Sequence, residues 1–432
     1  MERRTRAAPA RIGGLITMTG PTAPRTAAPA ADPARFRELP ARQQPDWPDR
    51  DALHAVLAAL PPQDLVTRES VAELRRELAQ LDAGGGLILQ LGDCVEDIDT
   101  DITSATCAKI AFLTHFRSHL RTRTGRHTLA VGRLAGQYAK PRSQDHEIAG
   151  GLTLPSYRGP IINAPQPTRQ ARRPDPARIA AAHTAARTAY AAIADHHRAT
   201  AHLDPLYTSH EMLLLDYELR FLRPGADGVD RADGADGTHG ADRAHGAGHH
   251  LATTHWPWIG ARTRHLDGAH IAVAAALANP VSVKIGPDTS PEEAAALARV
   301  LNPRDEPGRL TFIARMGHRD IERLHPVVRA VHRAVEHVHW LSDPMHGNTV
   351  TASTGFKTRH VEHIIAELTR FQQILTDTGH RPAGLHLEAT PEDVHECTED
   401  GREPTAPARY RTLLDPRLNP QQTARVLAHW FA

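Results

Sequence analysis

The stretch Trp340-Leu341-Ser342-Asp343-Pro344-Met345-His346-Gly347-Asn348-Thr349 decides how the chain is read. Val338, Trp340 and Leu341 predict a short buried strand, which then breaks into Asp, His, Gly and Asn. A parallel α/β sheet or barrel presents its chemistry in this way, at the carboxyl ends of apolar strands. The same grammar returns in Gly384-Leu385-His386-Leu387-Glu388-Ala389-Thr390 and comes earlier in Leu87-Ile88-Leu89-Gln90-Leu91-Gly92-Asp93-Cys94. Cys, His and Glu at the ends of separate strands are the material of a divalent-metal site.

Working outward, further apolar segments alternate with helical ones. Strands are predicted over Leu87 to Leu91, His127 to Gly132 and Leu203 to Tyr207, then one ending at Trp256 to Arg262. Others are predicted over Val281 to Pro287 and Leu310 to Arg315, with the last two ending at His346 and Glu388. Helices are predicted before and between them: Asp51–Leu60, Val66–Leu81, Thr103–Leu120, Asp175–His197, Met212–Leu222, Pro291–Leu301, His318–His337 and Thr358–Thr378. Ser290 with Glu292 and Glu293 supplies a cap and an acidic first turn. Gly84-Gly85-Gly86 closes the second helix. Eight β/α units after two leading helices predict an α/β fold, a (β/α)8 TIM barrel with an N-terminal helical extension.

Composition bounds the rest. The 432 residues carry a net charge of +1, which argues against general nucleic-acid binding. Three widely spaced cysteines, Cys94, Cys107 and Cys397, give no disulfide framework and fit a reducing, cytoplasmic setting. No run reaches the roughly 18 apolar residues of a membrane span. Residues 1–42 read as a disordered tail and 43–432 as one catalytic barrel domain. A low-complexity insertion at 223–250, made of Gly, Ala, Asp, His and Arg, interrupts it.

Polar residues gather where the apolar segments end: Cys94, Arg133, Lys140, Arg262, Lys284, Arg315, His346 and Glu388. One part of the collection is Cys, His and Glu, with Asp415 as a possible fourth ligand, a mixed set able to hold manganese, cobalt, iron or zinc. The other part is basic and suits phosphate and carboxylate groups. Lysine is scarce in this chain, yet Lys140, Lys284 and Lys357 each fall in such a box.

These boxes resemble those of the type II (plant-type) 3-deoxy-D-arabino-heptulosonate-7-phosphate (DAHP) synthases. The matching stretches are QQPDWPD, LILQLGDCVE, GRLAGQYAKPRS, SHEMLLLDYE, WIGARTRHLDGAH, NPVSVKIGP, RMG, WLSDPMHGNT, FKTRH, GLHLEATPEDVHEC and DPRLNPQQ, in the family's order. The resemblance implies the barrel and a divalent metal, Mn2+ or Co2+, held by Cys94, His346, Glu388 and Asp415. It implies phosphoenolpyruvate held by Arg133, Trp258, Ala261, Arg262, Lys284 and Arg315, and erythrose 4-phosphate by Lys140, Arg142 and Lys357. Lys284 and His346 would be catalytic, with Glu211 or Glu96 moving protons. The implied reaction condenses the two substrates to DAHP and phosphate, opening the shikimate pathway in a primary or secondary-metabolic setting. A homo-oligomer is expected, with no nucleic-acid or membrane partner.

Three departures from the family pattern stand out: Leu91 replaces a Gly, Val95 replaces an Ala, and Ala261 stands where a Glu usually precedes Arg262. Two other functions compete. The same chemistry on an amino-sugar aldehyde would leave the Lys140 and Lys357 boxes altered, and they are not. A non-catalytic paralogue acting as a regulatory partner would have lost ligands, and none of the four is lost.

Overall fold

The computed structural model describes residues 33–200, 205–225, 248–399, 402 and 407–430. Most of the expected tail and most of the 223–250 insertion therefore lie outside the described residues. Within the expected tail, Pro33–Arg37 is helical and buries Phe36 against the core.

Eight strands form one parallel sheet: β1 Leu87–Gly92, β2 Thr128–Arg133, β3 Leu206–Thr208, β4 Trp258–Ile259, β5 Val281–Ile285, β6 Leu310–Ala314, β7 His339–Ser342 and β8 Gly384–Glu388. Their order is β3-β2-β1-β8-β7-β6-β5-β4. The two outer strands meet through bonds just beyond them. Trp256 N donates to Thr208 O, Trp258 N to His210 O, and Met212 N to Trp258 O. The sheet thus curls into the expected (β/α)8 barrel.

The barrel interior has two halves. At the amino ends of the strands, Ile88, Leu129, Val131, Ile313 and Leu341 pack on Leu74, Leu78 and Leu81. Those three leucines lie on one face of the helix Arg68–Gly84, which plugs this end. Thr67 caps its first turn and Gly85, at φ +73°, ends it. Toward the carboxyl ends the interior turns polar, with Gln90, Lys284, His386 and Glu388 all buried. The sequence placed its candidate residues at this second end.

The helices Ala269–Ala276 and Pro420–Leu427 were not foreseen, and the start of the strand expected over Leu203–Tyr207 lies outside the described residues. Four other elements differ from the sequence expectation, each for a local reason. β4 is only two residues long, since Pro257 offers no N–H to a ladder. β7 stops at Ser342, short of His346, because Asp343 Oδ1 accepts the N–H groups of Met345 and His346 and turns the chain. The helix expected from Met212 begins at Leu215, since Met212 is engaged across the seam between β3 and β4. The helix expected over His318–His337 is a 3-10 turn, Ile321–Arg323, followed by Leu324–His332.

Two hairpins stand beyond the strand ends and were not foreseen. One pairs His146–Ala149 with Leu152–Pro155 and the other Val350–Thr351 with Lys357–Thr358. The insertion leaves and re-enters through a third antiparallel pair, Leu222↔Leu251 and Arg223↔His250. No helix among the described residues is long and apolar enough to cross a membrane.

Candidate active site

Glu388, the last residue of β8, is fully buried, and Cys94 lies two residues past β1. The Cys94 thiol and the carboxylates of Glu388 and Asp415 lie within 4.8 Å of one another. His346 joins them through Nε2, 2.9 Å from Glu388 Oε1. Its Nδ1 is 2.7 Å from Asp343 Oδ2. Burial works against the Asp343 charge, but His346 and Lys284 hold the carboxyl well below the usual carboxylate range. An ionised Asp343 keeps the imidazole proton on Nδ1 and turns the Nε2 lone pair inward. The four residues named from sequence therefore do come together.

Their common neighbour is a cation. The Lys140 ammonium is 2.8 Å from Cys94 Sγ, 3.0 Å from Glu388 Oε1, 2.7 Å from Asp415 Oδ2 and 3.3 Å from His346 Nε2. Burial alone would lower its pKa, but Asp415, Cys94 and Glu388 outweigh that cost and raise it. Lys140 was expected to face the sugar phosphate. It borders the cavity, yet its charge is drawn into the ligand set by two buried carboxylates. The lone pairs of His346 Nε2 and Glu388 Oε1 would repel at 2.9 Å without positive charge beside them. A thiol, an imidazole and two carboxylates converging on positive charge are a donor set that fits a divalent transition metal. Burial and Glu388 push the Cys94 thiol up to about 12, and a bound divalent ion would favour the thiolate instead.

The residues expected to hold phosphoenolpyruvate form a second layer. Arg133, the last residue of β2, donates to Glu388 Oε1 at 3.0 Å. Lys284 donates to Asp343 Oδ2 at 2.9 Å. Burial lowers the Lys284 pKa while Asp343 raises it, and burial prevails. Both cations lie against the buried ring of Trp258, the Arg133 Cζ at 5.2 Å and the Lys284 Nζ at 5.5 Å from its centroid. Trp258 thus serves as a floor for two charges. Arg262 is exposed on the cavity wall, and Arg315 donates from it to His346 O at 3.1 Å. At Ala261 it is the backbone that matters. Its carbonyl accepts Arg264 Nη1 at 2.5 Å, and Arg264 also binds Glu293 and Asp288. The loop is tied there without a carboxylate at position 261.

Ala261, Arg262, Lys284 and Arg315 border a cavity of about 440 Å³, while Arg133 and Trp258 lie buried behind its wall. Arg142 and Lys357 line it too, each already partnered. Arg142 binds Glu147 Oε2 and Tyr157 O, and Lys357 binds Asp415 Oδ1 at 2.8 Å. The two acids considered for proton transfer separate clearly. Glu96 accepts the N–H groups of Gly136 and Gln137 and pairs with Lys109, which makes it a loop anchor. Glu211 lines the cavity, and its Oε1 has no hydrogen-bond partner among the described residues. Burial raises its pKa against the pull of Lys284, Lys140, Arg262 and Arg133. A side chain at Gly260 would collide with that carboxylate, so only glycine lets it stand there.

Three buried contributors carried no role from sequence: Asp343, His386 and Arg359. Arg359 donates to Glu388 Oε2 at 2.8 Å. All three sit inside the quoted boxes, so membership of a box was the available signal.

The chain matches the model of the class-II DAHP synthetase family over residues 31–202 and 188–432. It is similar to a probable phospho-2-dehydro-3-deoxyheptonate aldolase of Pseudomonas fluorescens, with 40% identity covering 92% of this chain and 96% of the relative. It is also similar to phospho-2-dehydro-3-deoxyheptonate aldolases of Streptomyces coelicolor, at 36% identity over 90% of this chain and 94% of the relative, and of Mycolicibacterium smegmatis, at 35% over 89% and 90%. The fold, the order of the boxes and these similarities agree: the chain belongs to the class-II DAHP synthetase family.

Proposed function

We propose that the chain condenses phosphoenolpyruvate with erythrose 4-phosphate to give DAHP and inorganic phosphate. One observation carries this: the cavity of about 440 Å³ has Lys140, Arg142, Arg262, Lys284, Arg315 and Lys357 on its walls, beside a donor set that surrounds a cation. The substrates bring two phosphates and a carboxylate, which such walls suit. The aldolase names of the relatives support the same reaction.

Arg133, Arg262, Lys284 and Arg315 hold phosphoenolpyruvate, with Trp258 beneath the first and third. Arg142 and Lys357 take the phosphate of the sugar. So held, C3 of phosphoenolpyruvate attacks the aldehyde carbon, and C2 becomes electrophilic. Water adds to C2, the C2–O bond to phosphate breaks, and the phosphate departs. Glu211, buried with one free oxygen, is the group placed to take the water's proton. Lys284, held on Asp343, donates toward the departing phosphate. Orientation of two bound reactants is worth several kcal/mol, on the order of 7 or more in favourable cases. A divalent ion on Cys94, His346, Glu388 and Asp415, manganese or cobalt, would supply Lewis-acid polarisation of the aldehyde oxygen.

The test is phosphate release by EDTA-treated protein given both substrates, with and without manganese or cobalt. Release that needs both substrates and the metal is expected. Release from phosphoenolpyruvate alone would replace condensation with hydrolysis.

A further inference from the structure

We infer that His386 is a positioning residue: through one directed chain of hydrogen bonds it sets the Arg133 guanidinium against Glu388. The chain crosses the polar half of the barrel interior. Ser209 Oγ donates to the Trp256 carbonyl. Gln90 Nε2 donates to Ser209 Oγ at 2.6 Å. Gln90 Oε1 faces His386 Nδ1 at 2.5 Å. Arg133 Nη1 lies 3.0 Å from His386 Nε2, and Arg133 Nη2 donates to Glu388 Oε1 at 3.0 Å. Gln90, Ser209 and His386 are wholly buried, so water cannot substitute for any member.

Only one arrangement of protons satisfies both ends. A carbonyl can only accept, so the Ser209 hydroxyl hydrogen points at Trp256, and Ser209 must accept from its other neighbour. That requires the amide nitrogen of Gln90 on that side and its oxygen toward His386. At the other end a guanidinium can only donate, so His386 Nε2 must offer a lone pair. The proton therefore sits on Nδ1, where the Gln90 oxygen awaits it. The two ends agree on a neutral Nδ1–H imidazole. The register permits it, since Gln90 pairs with His386 and Gly92 with both Arg133 and Glu388.

The consequence concerns Arg133. One branch of its fork is held by the imidazole, the other by Glu388. Without the lone pair at Nε2, a buried guanidinium N–H loses its acceptor, and the fork turns. This role rests on the assignment of Arg133 to phosphoenolpyruvate made above.

Two conservative variants divide the ring's functions. His386→Gln can reach the Nε2 position with its carbonyl oxygen and keep an acceptor for Arg133. His386→Asn can meet Gln90 but falls short of Arg133. The expected result is a KM for phosphoenolpyruvate raised about tenfold or more in His386→Asn, as loss of a hydrogen bond to a charged group implies, with the KM for erythrose 4-phosphate unchanged. His386→Gln should restore most of that loss, and in an Arg133→Lys background His386→Asn should add little. Equal effects of Asn and Gln, or a rise in both KM values together, would overturn the inference. Neutron diffraction reads the ring without any assay, and a hydrogen on Nε2 would also overturn it. If Arg133→Lys alone leaves the KM for phosphoenolpyruvate unchanged while the Nδ1 hydrogen is seen, the assignment of Arg133 fails and the chain of bonds stands.

Discussion

Asn348 donates its side-chain amide to Glu367 Oε2 at 2.6 Å, and this bond ties the loop after β7 to the helix Val361–Asp377. The other oxygen of Glu367 accepts the N–H groups of Met316 and Gly317, from the loop after β6. Asn348 in turn accepts from His318 N and faces His318 Nδ1. At the same place Gly317, at φ +80°, lies so close to Gly347 that a side chain on either would collide with the other's backbone. One carboxyl thus registers the loop carrying Arg315 against the loop carrying His346.

Glu367 predicts a distinctive pH profile. Burial pushes its carboxyl up to about 8, despite the donors around it. Its folded value exceeds its unfolded value, so its contribution to stability is full below pH 4.5 and is lost as pH rises through 8. Glu367→Gln removes that titration. Relative to the variant, the wild type should lose up to about 1.4 kcal/mol per pH unit between pH 5 and 8. Denaturant melts at several pH values measure it, and parallel profiles for the two proteins would contradict it.

Lys140→Met predicts a protein that depends on added metal for its stability. Removing the ammonium leaves Glu388 and Asp415 facing each other without it. Unpairing buried charges costs on the order of 3 kcal/mol. The metal-free variant should melt well below the wild type, and manganese should close most of the gap. A variant that melts like the wild type in EDTA would show that Lys140 does not balance this charge.

Cys94→Ser and His346→Ala should each lower turnover to under about a tenth of the wild type, since each removes one of the four proposed ligands. The folded fraction should not change, and bound metal per chain should fall in parallel with rate. Activity kept with full metal content would strike the residue from the ligand set.

Replacing residues 226–247 by a short glycine turn should leave both substrate KM values and kcat within about twofold, since Arg223 and His250, the pair that bounds the segment, do not line the cavity. Arg223 and His250 already face each other across an antiparallel pair, so the turn has little distance to span. A folded but inactive deletion would place the insertion over the cavity.

Much of this was legible in the sequence, and the misses have physical causes. Strands buried on both faces, such as Leu87–Gly92 and Val281–Ile285, are continuous apolar runs and were read correctly. Cys94, His346 and Glu388 were named as candidate ligands because each stands in a polar break after such a run. Asp415 follows no strand and passed from possible fourth ligand into the set through the family resemblance. What pattern cannot convey is direction of charge. Lys140 read as a phosphate clamp, and only three dimensions place its ammonium among Cys94, Glu388 and Asp415. β4 was expected, but its extent was not legible, because Pro257 shortens it and its partners across the seam lie past the end of β3. His386 escaped since a histidine inside an apolar strand carries no periodic signal; its meaning lies in Gln90 and Arg133, on two other strands.

The antiparallel pair Leu222↔Leu251 and Arg223↔His250 also bears on how this chain tolerates growth in length. The entropy lost in joining the ends of a loop rises only with the logarithm of its length, about 0.6 kcal/mol for each doubling. Here that loss falls on the pair, which draws the ends together before the chain goes on to β4. The seam between Thr208 and Trp256 consequently closes over a connection whose effective length excludes whatever lies between Arg223 and His250. Residues added or lost there leave the conformational cost of closing the barrel nearly constant, so the length of this segment can drift without disturbing the geometry at Glu211 and Trp258.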